Sequence, residues 1–258
     1  AARAASGPAG SIAANNLGAT GEPAEPTHLY PGVTATSIWF KWTPASGGRA
    51  SPSLTSGSGY LSVYTGTALN NLQPVVQGTN AINFRAAAGT TYFVALGSYS
   101  PAARGNFTLT WQVLANDDFE GALELAGTAG TVRSQITGAT TEPGEPAHWP
   151  TSNSVGSLWY RWTPSQSGTA VIDTIGSSFD TVLAAYTGSA LGSLTRVAQD
   201  NDSASQSGSF GASRIAFPVT AGSTYSIALG TLYYSQGNSV LNYSITPNPY
   251  ITLNPVGL

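Results

Sequence analysis

Apolar and polar residues alternate in short runs along the chain, with the period of two that sets one face of a β-strand against a core. Ile38, Phe40 and Trp42 alternate with Trp39 and Lys41, and Leu158, Tyr160 and Trp162 alternate with Trp159 and Arg161. The runs TAVIDT, TVLAAYTG, TYFVALG and TYSIALG are short, rich in β-branched and aromatic residues, and bounded by Gly, Ser and Pro. No segment sustains a 3.6-residue apolar period. ALELAG, around Leu123, is long enough only for a helical turn.

These runs recur in order. Gly18–His28 (GATGEPAEPTH) returns as Gly138–His148 (GATTEPGEPAH), and Ser37–Pro44 (SIWFKWTP) as Ser157–Pro164 (SLWYRWTP). YTGTALNNL from Tyr64 returns as YTGSALGSL from Tyr186, and INFRAAAGTTYFVALG from Ile82 as IAFPVTAGSTYSIALG from Ile215. A period of this size makes each copy one structural unit. About eight short strands per copy predict an all-β chain of two tandem antiparallel β-sandwich domains, jelly-roll-like in type. The expected boundaries are 1–115 for the first domain, 116–247 for the second, and 248–258 for an overhanging C-terminal strand.

The second copy carries NDDF (Asn116–Phe119), ATTEPGEPAH, SLWYRWTP, GSSFDTVLAAYTG (Gly176–Gly188), an Asp200-Asn201-Asp202 loop and AGSTYSIALG (Ala221–Gly230). With these motifs the chain resembles the bacterial pre-peptidase C-terminal (PPC) domains, secreted β-sandwich modules. The resemblance implies a jelly-roll-like sandwich, secretion, frequent calcium binding and an accessory or adhesive role rather than catalysis. It speaks to fold more than to function, because such modules accompany many unrelated proteins.

Composition narrows the function classes. Only 8% of the 258 residues are charged, against about 25% in typical soluble proteins. The net charge of -3 leaves no basic surface for nucleic acid, and Lys41 is the one lysine. Cysteine is absent and histidine occurs twice, which removes disulfide scaffolds, thiolate metal sites and cysteine nucleophiles. No apolar run is long enough to span a membrane as a helix. A surface of Gly, Ser, Thr and Asn suits an extracellular or cell-surface β protein, and no P-loop, nucleophile elbow or zinc signature appears. The expectation is a protein that is not an enzyme.

Three groups remain as candidate chemistry. All the aspartates lie in the second copy, and Asp180, Asp200 and Asp202 fall opposite Ser58, Gly78 and Asn80 of the first. Calcium takes six to eight oxygen ligands, so Asp117 or Asp118 with Asp180, Asp200 and Asp202 form a candidate calcium site; the other reading is that these aspartates cap turns. The duplicated E-P-x-E-P-x-H motif aligns Glu22, Glu25 and His28 with Glu142, Glu145 and His148, a set that suits either a transition metal or a structural loop, and its prolines favour the loop. Tryptophans at matching strand positions read as core, whereas Trp149, with Tyr233 and Tyr234, is the candidate exposed platform for a surface glycan or protein.

The ends are out of phase with the repeat. Ala1 aligns with Gly121, so the first domain is expected to lack NDDF as its opening strand. Asn248–Leu258 aligns with the start of a further copy, Asn248 falling opposite Asn116 and Ile251 opposite Phe119. Tyr250, Ile251, Leu253 and Val256 are the candidate anchors of a donor strand that enters the first domain of another copy. The expected function is a head-to-tail extracellular filament subunit. The alternatives are a fragment of a longer repeat array, or a carbohydrate- or protein-binding adhesion module of a larger secreted protein.

Overall fold

The computed structural model describes residues 2–28, 36–150, 156–205, 211–233 and 235–247. The chain divides into two compact units, Ala1–Ala115 and Asn116–Leu258.

In the first unit, one sheet runs β1 (Arg3–Ala5), β3 (Ser37–Trp42), β9 (Tyr92–Gly97), β6 (Tyr60–Thr65) and β7 (Gln73–Thr79). The other runs β2 (Ala9–Asn15), β10 (Asn106–Leu114), β4 (Gly48–Ala50) and β8 (Phe84–Ala86), with β5 (Ser53–Ser56) also on β10. Phe40 and Trp42 from one sheet meet Phe107, Leu109 and Trp111 from the other in a single buried core. This is a β-sandwich, and alternation along each strand chooses the inward face.

The second unit repeats the plan. One sheet runs β11 (Leu123–Leu125), β13 (Ser157–Trp162), β18 (Tyr225–Thr231), β15 (Thr181–Thr187) and β16 (Thr195–Asn201), and the other β12 (Ala129–Gln135), β19 (Asn238–Pro247), β14 (Gly168–Asp173) and β17 (Arg214–Val219). The pairs are antiparallel with two exceptions: β1 runs parallel to β3, Arg3 opposite Phe40, and β11 parallel to β13, Leu123 opposite Tyr160. A parallel pair needs a long crossover. Here it contains β2 or β12 and the E-P-x-E-P-x-H segment.

Two expectations are corrected. Leu123–Leu125, expected as a helical turn, is strand β11, because β13 supplies backbone partners that a short helix would lack. NDDF, expected as an opening strand, is not a strand: Asn116, Asp117, Asp118 and Phe119 are all buried, and Phe119–Gly121 forms a short 3-10 turn. The opening strands are β1 and β11, present in both units, so the first unit has its sheet edge.

The middle strands of the first-named sheet in the second unit are covered on both faces. Leu158, Trp159 and Tyr160 are each 0–1% exposed although they alternate in direction. Trp159 does not face the sandwich interior. It belongs to a separate cluster with Phe119, Ala122, Ala184, Tyr186 and Ala228, on the outer face of the sheet.

Candidate functional site

The outer face is built by the E-P-x-E-P-x-H loop. In the first unit His28 Nε2 donates to Glu25 Oε1 at 3.0 Å and Nδ1 faces the Tyr64 hydroxyl at 2.8 Å. The Glu25 carboxylate also accepts from Ser37 Oγ, from Trp39 Nε1 at 3.0 Å and from the Glu22 backbone N–H at 2.9 Å. In the second unit His148 bonds Glu145 and Tyr186, each at 2.8 Å, and Ser157 and the Glu142 N–H also donate to Glu145. A carboxylate only accepts, so Nε2 carries the proton and Nδ1 takes the hydrogen of the tyrosine. Burial pushes the Tyr186 phenol up to about 12 and raises that of Tyr64, which keeps both as donors. Each serine donates to the carboxylate and not to the imidazole. That is the wiring of a loop clamp, whereas a nucleophile would need its base on the hydroxyl.

The clamp of the first unit has a pH signature. Burial is the main effect at His28 and lowers its pKa below 6.5, despite the opposing influence of Glu25. At Glu25 burial raises the pKa, but the hydrogen bonds from Ser37, Glu22, His28 and Trp39 together outweigh it and bring it below 4.5. As the pH falls through 6.5 the unfolded chain binds a proton at His28 that the fold resists, and below 4.5 the same holds for Glu25, so both groups withdraw stability in acid. Protection against hydrogen exchange on β3 and β6, corrected for the intrinsic rate, is expected to fall between pH 7.5 and pH 5.5. Protection that holds or rises would contradict this assignment.

On this clamp the second unit seats Asn116–Phe119. The Trp159 backbone N–H donates to Asn116 O at 2.7 Å, and Asn116 Nδ2 returns a bond to Trp159 O at 3.1 Å. Asp117 accepts from the Thr140 N–H at 2.5 Å and from its hydroxyl at 2.8 Å. The Phe119 N–H donates to Glu142 Oε2 at 2.5 Å, and the ring meets Trp159 edge-on with centroids 5.1 Å apart. The Arg161 guanidinium lies over the ring at 5.8 Å, and Leu191 and Leu194 pack against the cluster.

The corresponding place in the first unit is open. Ala2, Glu22, Trp39, Leu69, Leu72 and Phe93 line a cavity of about 410 Å³. The first five match Ala122, Glu142, Trp159, Leu191 and Leu194 of the second unit in the repeat. Trp39 is half-buried where Trp159 is fully covered. Ser62, at the position of Ala184, is buried. Thus the walls of the seat are duplicated, while the described residues of the first unit hold no counterpart of Phe119.

The aspartates divide. Asp117 holds Thr140, and Asp200 accepts from the Ser203 N–H at 3.0 Å, the Ser203 hydroxyl at 2.8 Å and the Arg214 N–H at 2.8 Å; these are turn-capping roles. Asp118 is buried at the start of the 3-10 turn. Asp180 Oδ1 and Asp202 Oδ1 both lie against the position that a Cβ on Gly211 would take, leaving no room for a side chain there. Burial, then the negative charge of Asp202, raises the Asp180 pKa. Of the five candidate calcium ligands, these two alone are shown sharing a locus, and among the described residues no three His, Asp or Glu side chains group to hold a metal ion.

Trp149 is half-buried, whereas Tyr233 is 58% exposed on backbone at φ 54°. Tyr234 lies outside the described residues, as do the tail anchors Tyr250, Ile251, Leu253 and Val256. Sequence reading expected a gap in the first domain for the tail to fill, but did not place it on the Trp39 face. The available signal was that Ala2, Trp39, Leu69 and Leu72 all have counterparts, and that those counterparts enclose a phenylalanine.

No family model and no curated protein matches the chain. Among solved structures it is similar to the CUB1-EGF-CUB2 domains of rat MASP-1, at 9% identity over 95% of this chain and 100% of that one, with a TM-score of 0.28. It is also similar to a Bacillus thuringiensis Cry1Da tryptic core variant, at 8% identity over 79% of this chain and 52% of that one (TM-score 0.29). A truncated AlyQ with CBM32 and alginate lyase domains aligns at 8% identity over 92% and 84% (TM-score 0.25). Superpositions this loose carry no inference to function. Among the described residues no helix is long and apolar enough to cross a membrane.

Proposed function

We propose that the chain is a secreted, non-catalytic structural subunit that joins copies head to tail, the tail Asn248–Leu258 of one copy entering the first unit of the next. The observation that carries this reading is the cavity on the Trp39 face, whose walls repeat those enclosing Phe119. The tail aligns Ile251 with Phe119 and Asn248 with Asn116, and Tyr250, Leu253 and Val256 add apolar surface. Such a contact is heterologous, so it propagates into a filament unless a ring closes. A surface with few charges favours backbone pairing and apolar anchors over electrostatic docking. The resemblance to PPC modules supports an extracellular, non-enzymatic setting, and calcium enters the reading only through Asp180 and Asp202.

Deleting Asn248–Leu258 tests it. Sedimentation velocity is expected to show concentration-dependent oligomers for the full chain and monomers for the truncation. Equal oligomers from both would overturn the reading. The exposed Tyr233, on positive-φ backbone that is unusual for a bulky residue, favours a second reading in which the chain binds a surface glycan or protein.

A further inference from the structure

We infer that the cavity of the first unit is a peptide-recognition site for a four-residue segment with asparagine first, a carboxylate second and a large apolar side chain fourth. The inference deepens the head-to-tail reading and rests on it for the identity of the physiological partner. It ranks that partner as well, because the tail meets only part of the specification.

The specification is read from the second unit, where Asn116, Asp117 and Phe119 each have a receptor, and each receptor recurs in the first. Asn116 pairs with the backbone of Trp159, whose counterpart is Trp39 on β3. The Asp117 carboxylate takes the N–H and hydroxyl of Thr140, whose counterpart Thr20 is exposed beside the cavity that it helps to line. The N–H of Phe119 is received by Glu142, matched by Glu22, and its ring by the residues that match Ala2, Trp39, Leu69 and Leu72. Lys41 stands at the position of Arg161, whose guanidinium covers the Phe119 ring. Phe93 takes the place of Ser226 and supplies a further aromatic wall.

The tail reads Asn-Pro-Tyr-Ile at the matching positions. It keeps the asparagine and an apolar fourth residue, but Pro249 stands where Asp117 stands and offers Thr20 no acceptor. Hydrogen bonds to a charged group are about twice as strong as neutral ones. Contacts between copies through the tail are therefore weaker and more readily exchanged than those of a segment that keeps the carboxylate.

The single lysine makes the test selective. Reductive methylation with ¹³C-formaldehyde labels the Lys41 amine and the terminal α-amine, and the lysine signal, assigned by its loss in Lys41→Arg, is the one that an aromatic ring seated in the cavity shifts. The full chain is titrated with four acetylated peptide amides: NDDFEG, NADFEG, NDDAEG and the tail sequence NPYITL. The expected result is a saturable Lys41 shift with NDDFEG, and affinities at least roughly tenfold weaker for the other three. Leu72→Arg in the full chain should remove the response to NDDFEG while hydrogen exchange of the sandwich core stays native. No Lys41 shift with millimolar NDDFEG, or equal affinities for NDDFEG and NPYITL, would overturn the inference. Recognition of NDDFEG by a chain that stays monomeric supports the site and removes the head-to-tail reading, whereas polymers in a chain that ignores NDDFEG leave that reading and remove the site.

Discussion

Replacing Phe119 by alanine is expected to lower the unfolding free energy of the second unit by about 3–5 kcal/mol, the range for truncating a large buried aromatic. Phe119 is 5% exposed, meets Trp159 edge-on and closes a cluster in which Trp159, Ala184, Tyr186 and Ala228 stand on paired strands and cannot collapse inward. The loss extends beyond the ring. With the ring gone, Trp159 is uncovered and the Arg161 guanidinium loses its aromatic partner. Phe119→Leu should cost less than half as much, since it keeps most of the apolar volume. Urea denaturation, with hydrogen exchange on β13 and β15 to localise the change, reads both variants. A loss below about 1 kcal/mol for the alanine variant would show that the outer cluster contributes little.

The second large effect runs in the opposite direction. Placing Asn-Asp-Asp-Phe-Glu immediately before Ala1 puts a phenylalanine in the register of Phe119, because Ala1 aligns with Gly121. Burying that ring against Trp39, Leu69 and Leu72 is worth about 1.5–3 kcal/mol. At about 4 °C per kcal/mol for a domain of this size, the first unit should melt roughly 6–12 °C higher. The same extension with alanine for phenylalanine should give little of the gain. Calorimetry separates the two, and equal melting temperatures would mean that the cavity does not accept the ring.

Much of this was legible in the chain. The alternation in Ser37–Trp42 and Ser157–Trp162 marked β3 and β13, and the repeated motifs marked two copies of one plan. The E-P-x-E-P-x-H segments read as structural loops, and the carboxylate and imidazole of each prove to be wired to each other and to a tyrosine. The parallel strands β1 and β11 were not legible, because three residues carry no period and a parallel partner announces itself through no local turn. NDDF was misread as a strand for a related reason. Its one apolar side chain is buried by a plug in which two aspartates are buried as well, and the partner that makes Asp117 tolerable there, Thr140, is visible only in three dimensions. The acidic set was visible as composition, but the division between turn caps and the Asp180–Asp202 pair depends on which backbone N–H groups each carboxylate reaches.

The central claim is that copies join through the cavity on the Trp39 face. Sedimentation velocity of the chain extended by Asn-Asp-Asp-Phe-Glu before Ala1, run beside the unextended chain and the extension with alanine for phenylalanine, tests it most directly. The filled chain is expected to sediment as a monomer at concentrations where the other two form oligomers. Oligomers of undiminished size from the filled chain would contradict the claim and place the contact elsewhere on the molecule.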